Sequence, residues 1–165
     1  MDNPRPDAVR LSRALGTLSS ELSASEVVAE LGLARHPEGG WFRETFRSSD
    51  EVAGRATSTA IMFLLAEQEF SHWHRVDADE HWMFHAGDPL ELTVVHNGRW
   101  RDIRLGVGPG CQPQGVVPAD VWQAARPLGR WTLVACVVAP GFQFEGFELA
   151  PPGWEPPGGP AASNP

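Results

Sequence analysis

The stretch "SHWHRVDADEHWMFHAGD", residues 71–88, holds four of the chain's six histidines, with three acidic residues among them. His72 and His74 are two residues apart, so on a regular strand both project from one face. The run Val76-Asp77-Ala78-Asp79 reads as a turn, and the next strand begins at Glu80 or just before it. Two imidazoles and a carboxylate on neighbouring strands can converge on one point. Such a set suits either a divalent metal or a proton-transfer pair. The plainer alternatives are a solvent-facing strand histidine for His72 and, for Glu80, a turn carboxylate that satisfies nearby backbone N–H groups. His81 and His85 are out of phase with Glu80 and should face the other way. Trp82 and Phe84 are in phase with it, as core packing or as a ligand platform.

Such residues need a rigid frame, and the composition allows one. The chain has 165 residues, 42% hydrophobic and 21% charged, which suits one domain with a proper core. A net charge of −8 repels phosphate backbones and anionic lipid, so neither nucleic acid nor a membrane is an expected partner. No apolar run approaches the ~20 residues needed to span a bilayer. The N-terminal residues lack the apolar core of a secretion signal, and a cytoplasmic protein is expected. Cys111 and Cys136 show no metal or redox spacing and read as reduced thiols. There is no tyrosine, which excludes any mechanism needing a phenol from this chain. No nucleophile elbow, phosphate loop or dinucleotide fingerprint is present.

Residues 1–24 are polar and weakly patterned, with one short helical option from Ala8 to Leu18. A clearer helix follows. Ser23 or Ser25 can cap it, Val27, Val28 and Leu31 line one face, and Gly32 is a natural stop. From Trp41 onward the period is two. "STAIMFLLA" and "WTLVACVVAP" read as strands buried on both faces, and Asn97-Gly98 reads as the turn of a hairpin. Short strands between Gly, Pro and Asp signals predict an all-β sandwich or barrel. The expected division is a polar segment over 1–24, a single β domain over 25–150, and a disordered Pro/Gly-rich tail over 151–165.

The spacing His72-x-His74, five residues, Glu80, six residues, Gly87 resembles the first motif of the cupin superfamily. "PADVWQ" resembles the second, with Asp120 in the glycine position and Gln123 in the histidine position. Five blocks in order, "LGLARHPEGGWFRETFRS", "STAIMFLL", "HRVDADEHWMFHAGDPLEL", "VVPADVWQAA" and "CVVAPGFQFEGFEL", are similar to the fifth cupin domain family, small cupins related to the sugar-nucleotide epimerase fold. The resemblance implies a single double-stranded β-helix, a jelly-roll cupin barrel with a short N-terminal helix, in a homodimer. It also shows departures. The first motif has one or two extra residues before Glu80, Ala66 stands where a glycine is expected, and Gln123 replaces an imidazole. An amide oxygen is a weaker ligand than imidazole for zinc, nickel or iron.

The resemblance places "HPEGGWFRETFRS" beside the barrel mouth, where Glu38, Trp41 and Arg43 become candidates for ligand contact. Arg43 there could grip a carboxylate or phosphate; its plainer role, with Glu44, is to protect a strand edge. Gly39-Gly40 permits a close backbone approach or positive φ. His36 and His96 read as loop residues, and Phe142, Phe144 and Phe147 as packing or a dimer contact. Three functions stay open. The first is an isomerase or epimerase in which His74 takes a proton beside a carbonyl and Glu80 assists. The second is an enzyme holding one divalent metal ion through His72, His74, Glu80 and Gln123. The third is a non-catalytic binding module. In each, the ligand is a small polar molecule, with Trp82, Phe84 and Gln123 lining its pocket.

Overall fold

A computed structural model describes residues 22–158. The helical option over Ala8–Leu18 lies outside the described residues. Helix α1, Ala24–Leu31, starts at a full capping box: the Ser23 hydroxyl accepts from the Glu26 N–H, and the Glu26 carboxylate accepts from the Ser23 N–H. It stops at Gly32 with φ 62°, a left-handed conformation that suits glycine.

Thirteen strands follow. They are β1 (Ala34–Arg35), β2 (Trp41–Arg47), β3 (Glu51–Val52), β4 (Arg55–Ala56), β5 (Thr59–Ala66), β6 (Ser71–Val76) and β7 (Asp79–Gly87). The chain continues through β8 (Leu90–His96), β9 (Arg99–Leu105), β10 (Gln114–Val117), β11 (Trp122–Pro127), β12 (Trp131–Ala139) and β13 (Phe147–Leu149). One antiparallel sheet runs β1-β2-β5-β12-β7-β10, and the other runs β13-β6-β11-β8-β9. β3 and β4 pair as a small separate ribbon. The expected hairpin turn joins β8 to β9, with Asn97 and Gly98 both at positive φ. Among the described residues no helix is long and apolar enough to cross a membrane.

Two large cores hold these layers, and a smaller cluster of Val76, Ala78 and Val138 lies by the cavity. Between the sheets, Phe63, Leu65, Trp82, Leu90, Leu92, Leu105 and Val134 fill one end of the barrel. On the outer face of the six-stranded sheet, α1 lays Val27 and Leu31 against Met62, Leu64, Trp131 and Leu133. That helix explains why β5 and β12 are apolar on both faces: one face meets the barrel interior, the other meets α1. The Pro-rich segment expected to be disordered is in part laid on the barrel. Trp154 packs on Trp122 with ring centroids 4.4 Å apart, and the Trp100 indole N–H donates to the Pro157 carbonyl.

The loop between β1 and β2 is pulled against β6. Gly39 has φ 108°, and a Cβ there would collide with the Phe70 carbonyl oxygen; Gly40 has φ 71° and lies against Leu64 and Leu65. The His72 N–H donates to the Glu38 carbonyl at 2.8 Å and ties the loop down. Gly39→Ala is therefore expected to destabilise the fold by at least about 2 kcal/mol, read by chemical denaturation.

Candidate functional site

A cavity of about 290 Å³ opens between the two sheets, at the end of the barrel that the apolar core leaves unfilled. Its deep end collects His36, Glu38, His74, Glu80 and Cys136; its walls are Phe42, Ile61, Phe63, Val76, Val138 and Phe147. Three strands and one loop supply the polar groups. Glu80 leads β7, His74 lies on β6, Cys136 on β12, and the tucked loop brings His36 and Glu38.

The phase of β6 decides which histidine enters. Gln123 pairs with His74 and Ala125 with Ser71, so β6 uses three residues where β11 uses two. This β-bulge turns both Ser71 and His74 inward, and both are buried, while His72 is exposed. His72 instead lies beside Phe70, with ring centroids 4.2 Å apart. The expectation that His72 and His74 share a face fails because the strand is irregular between them.

His74 is held by its own backbone. Its Nδ1 lies 2.8 Å from the His72 carbonyl oxygen, a pure acceptor, so Nδ1 carries the proton and Nε2 presents a lone pair. That Nε2 faces a Glu38 oxygen at 3.5 Å. The same oxygen lies 3.4 Å from His36 Nδ1, and the other oxygen of Glu38 accepts the Ser71 hydroxyl at 2.8 Å. Burial raises the Glu38 carboxyl from 4.5 to about 7, against the lowering effects of His36 and the Ser71 hydrogen bond. Burial pushes His74 and His36 below the usual imidazole value of 6.5. It pushes Glu80 up, opposed by His74 and reinforced by Glu38.

Glu80 is fixed from two sides. The Gln123 side-chain NH2 donates to it at 2.6 Å, and the Cys136 thiol donates as well. Gln123 is oriented in turn by Trp82, whose indole N–H donates to the amide oxygen at 3.0 Å. An indole can only donate, so the amide has one orientation: oxygen to Trp82, NH2 to Glu80.

This geometry corrects several expectations. Trp82 and Phe84 belong to the packed half of the barrel and, like Gln123, do not line the cavity; Trp82 positions Gln123, which in turn holds Glu80. On β2 the inward residues are Phe42 and Glu44, one place from the expected Trp41 and Arg43. Trp41 packs on the α1 side under the Arg35 guanidinium, 3.8 Å above its ring. Arg43 reaches the Leu31 carbonyl at 3.1 Å and so caps α1. Phe142, Phe144 and Phe147 are cavity walls. His36, Ser71 and Cys136 were missed. For His36 a signal existed, a histidine and a glutamate flanking a proline just before a double glycine. Ser71 and Cys136 had none, since the bulge and the strand pairing that aim them leave no mark in the residue pattern.

The donor set expected for a metal is not assembled. His72 points away, and the Gln123 oxygen faces Trp82 rather than the cavity. Among the described residues no group of three or more His, Cys, Asp and Glu side chains is arranged to hold an ion.

Two facing antiparallel sheets with a polar site in the open end of the barrel define a jelly-roll protein of cupin type. The chain belongs to the family described as Cupin superfamily (DUF985), whose model matches residues 25–150. It is similar to protein SO0799 of Shewanella oneidensis, with 35% identity over 78% of this chain and 85% of that one, at a TM-score of 0.75. A hypothetical protein from Leishmania major is similar at 32% identity, over 77% of this chain and 86% of that one, with a TM-score of 0.73. Uncharacterized protein YML079W of Saccharomyces cerevisiae is 26% identical over 147 residues, 74% of this chain and 73% of that one. Oxalate decarboxylase from Bacillus subtilis shares the fold at a TM-score of 0.56 and 16% identity, over 70% of this chain and 29% of that one.

The raised value for Glu38 makes a stability prediction. A carboxyl raised from 4.5 to about 7 in the folded state keeps its proton there while the unfolded chain releases it. Its contribution is full below pH 4.5 and is lost as the pH rises to about 7. Against Glu38→Gln, the wild type should lose on the order of 3 kcal/mol across that window, read by denaturation at each pH.

Proposed function

We propose that this cupin is an enzyme of isomerase or epimerase type that moves a proton beside the carbonyl of a small polar molecule. The observation that carries the reading is the contact between His74 Nε2 and Glu38 at the deep end of the cavity. A neutral imidazole with its lone pair aimed into a pocket is a base. A carboxyl with a value near 7 is an acid at neutral pH. His74 Nε2 takes the proton from the carbon next to the carbonyl. The electron pair of that C–H bond forms a C=C bond to the carbonyl carbon, and the carbonyl π pair moves to the oxygen, which takes the Glu38 proton and gives an enol. Returning a proton to the opposite face inverts the centre; returning it to the neighbouring carbon isomerises the molecule.

The remaining groups support this pair. As His74 becomes an imidazolium, Glu80 beside it favours that state, and Gln123 and Cys136 keep the Glu80 carboxyl group in place. Glu38 supplies the acid that the absence of tyrosine would otherwise leave missing. The four-residue metal set expected from the family motif has the weaker case, since His72 and the Gln123 oxygen point elsewhere. The same reading keeps the chain as a cytoplasmic homodimer whose partner is a small molecule, which sedimentation and fractionation can check.

Solvent exchange tests it. A panel of small aldoses, ketoses and keto acids in D2O is followed by proton NMR for loss of the hydrogen beside the carbonyl. Exchange catalysed by the wild type, insensitive to EDTA and slowed by about 10²-fold or more in His74→Ala and Glu38→Gln, is the expected outcome. Loss of exchange with EDTA would replace the reading by a metal-assisted one, and no His74-dependent exchange across the panel would leave a binding module.

A further inference from the structure

The outer half of the cavity speaks to what the ligand carries. The rings form a continuous wall from the surface inward. Phe144, 60% exposed, stands edge-on to Phe142 at 5.2 Å, and Phe142 to Phe147 at 5.7 Å. Phe147 leans on His74 at 5.6 Å, and His36 stands edge-on to Phe42 at 4.6 Å.

The acidic and basic groups around this wall are unequal in number. Four carboxyl groups line the cavity, those of Glu38, Glu44, Glu80 and Glu145, and among the described lining residues Arg47 is the one arginine or lysine. Arg47 is committed: Nε and a terminal nitrogen donate to the two oxygens of Glu44, and another nitrogen donates to the Phe142 carbonyl. Arg43, the other cation of this strand, is turned to the end of α1. An incoming carboxylate or phosphate would therefore meet no cation that is not already paired. Glu145, on the short 3-10 turn Phe144–Gly146 beside the mouth, makes no ion pair among the described residues.

From this juxtaposition of aromatic rings, an unpaired carboxylate and no available cation, we infer that the ligand carries an amine or quaternary ammonium group, seated among Phe142, Phe144, Phe147 and Glu145. Ring faces attract a cation through their quadrupole, and the attraction grows as the cation is desolvated. Glu145 adds a full charge at the same end. The inference rests on the proposed function for its polarity: the carbonyl end of the molecule lies inward at Glu38 and His74, the cationic end lies outward.

Calorimetry with three probes of one shape tests it: choline, its uncharged analogue 3,3-dimethylbutan-1-ol, and the anion 3,3-dimethylbutanoate. Choline should bind about ten-fold or more tightly than the alcohol, and the anion should give no heat. Phe147→Leu keeps the apolar wall and removes the ring, so it should lower the choline preference while leaving the melting temperature close to that of the wild type. Glu145→Gln should weaken choline and not the alcohol. Equal affinity for choline and the alcohol, binding of the anion, or no choline heat would overturn the inference. The assay needs no turnover, so it is separable from the proposed chemistry. Choline binding without deuterium exchange in any carbonyl substrate would sink the proton-transfer reading alone. Exchange with no cation preference would sink this inference alone.

Discussion

Glu38 and His74 face each other at the buried end of the cavity, where, among the described residues, Glu38 pairs with no arginine. Charging a carboxyl there is costly, so Glu38 keeps its proton to about pH 7, and burial likewise keeps His74 neutral. Each surrounding element then has a definite task. The Ser71 hydroxyl satisfies one Glu38 oxygen, and the His72 carbonyl fixes the His74 tautomer. Trp82 orients Gln123, which with Cys136 holds the second carboxylate, Glu80, beside the imidazole. A pair of groups whose environment moves them toward each other in proton affinity can exchange a proton at little cost, and that is what the proposed reaction needs.

Two irregularities of backbone make the pair possible. The bulge in β6 brings Ser71 and His74, three residues apart, to one face. The double glycine after Glu38 lets its loop press against Phe70 and Leu64, where any side chain would collide. Both sit on the β1–β2 loop and β6, so the acid and the base are fixed to each other by the backbone bond from His72 to Glu38 as well as by their side chains. A second bulge on β2, between Glu44 and Phe46, serves the mouth in the same way, since Glu44 and Arg47 both reach the cavity.

The sequence carried the fold because its signals are periodic. Alternation, the Asn97-Gly98 turn and the doubly apolar β5 and β12 all follow from a sheet that is covered by α1 on one face and closed on the other. The inward placement of His74, Glu80 and Gln123 was legible from motif spacing, and Asp120 does take the positive φ, 61°, that a glycine position requires. Alternation fails at a bulge, so His72 was placed inside and Ser71 overlooked. The resemblance places the β2 block at the mouth without fixing its phase, and Phe42 and Glu44, not Trp41 and Arg43, line the cavity. His36 reads as a loop residue in the sequence, and only the fold of the glycine loop shows that it lines the cavity.

NMR reads the protonation state of the Glu38–His74 pair. With 15N-labelled histidine and 13C-labelled glutamate, His74 should appear as the neutral Nδ1–H tautomer in neutral solution. The Glu38 carboxyl carbon, assigned through Glu38→Gln, should titrate with a midpoint near 7. A Glu38 midpoint in the ordinary range around 4.5, or an imidazolium at His74 in neutral solution, would contradict the account.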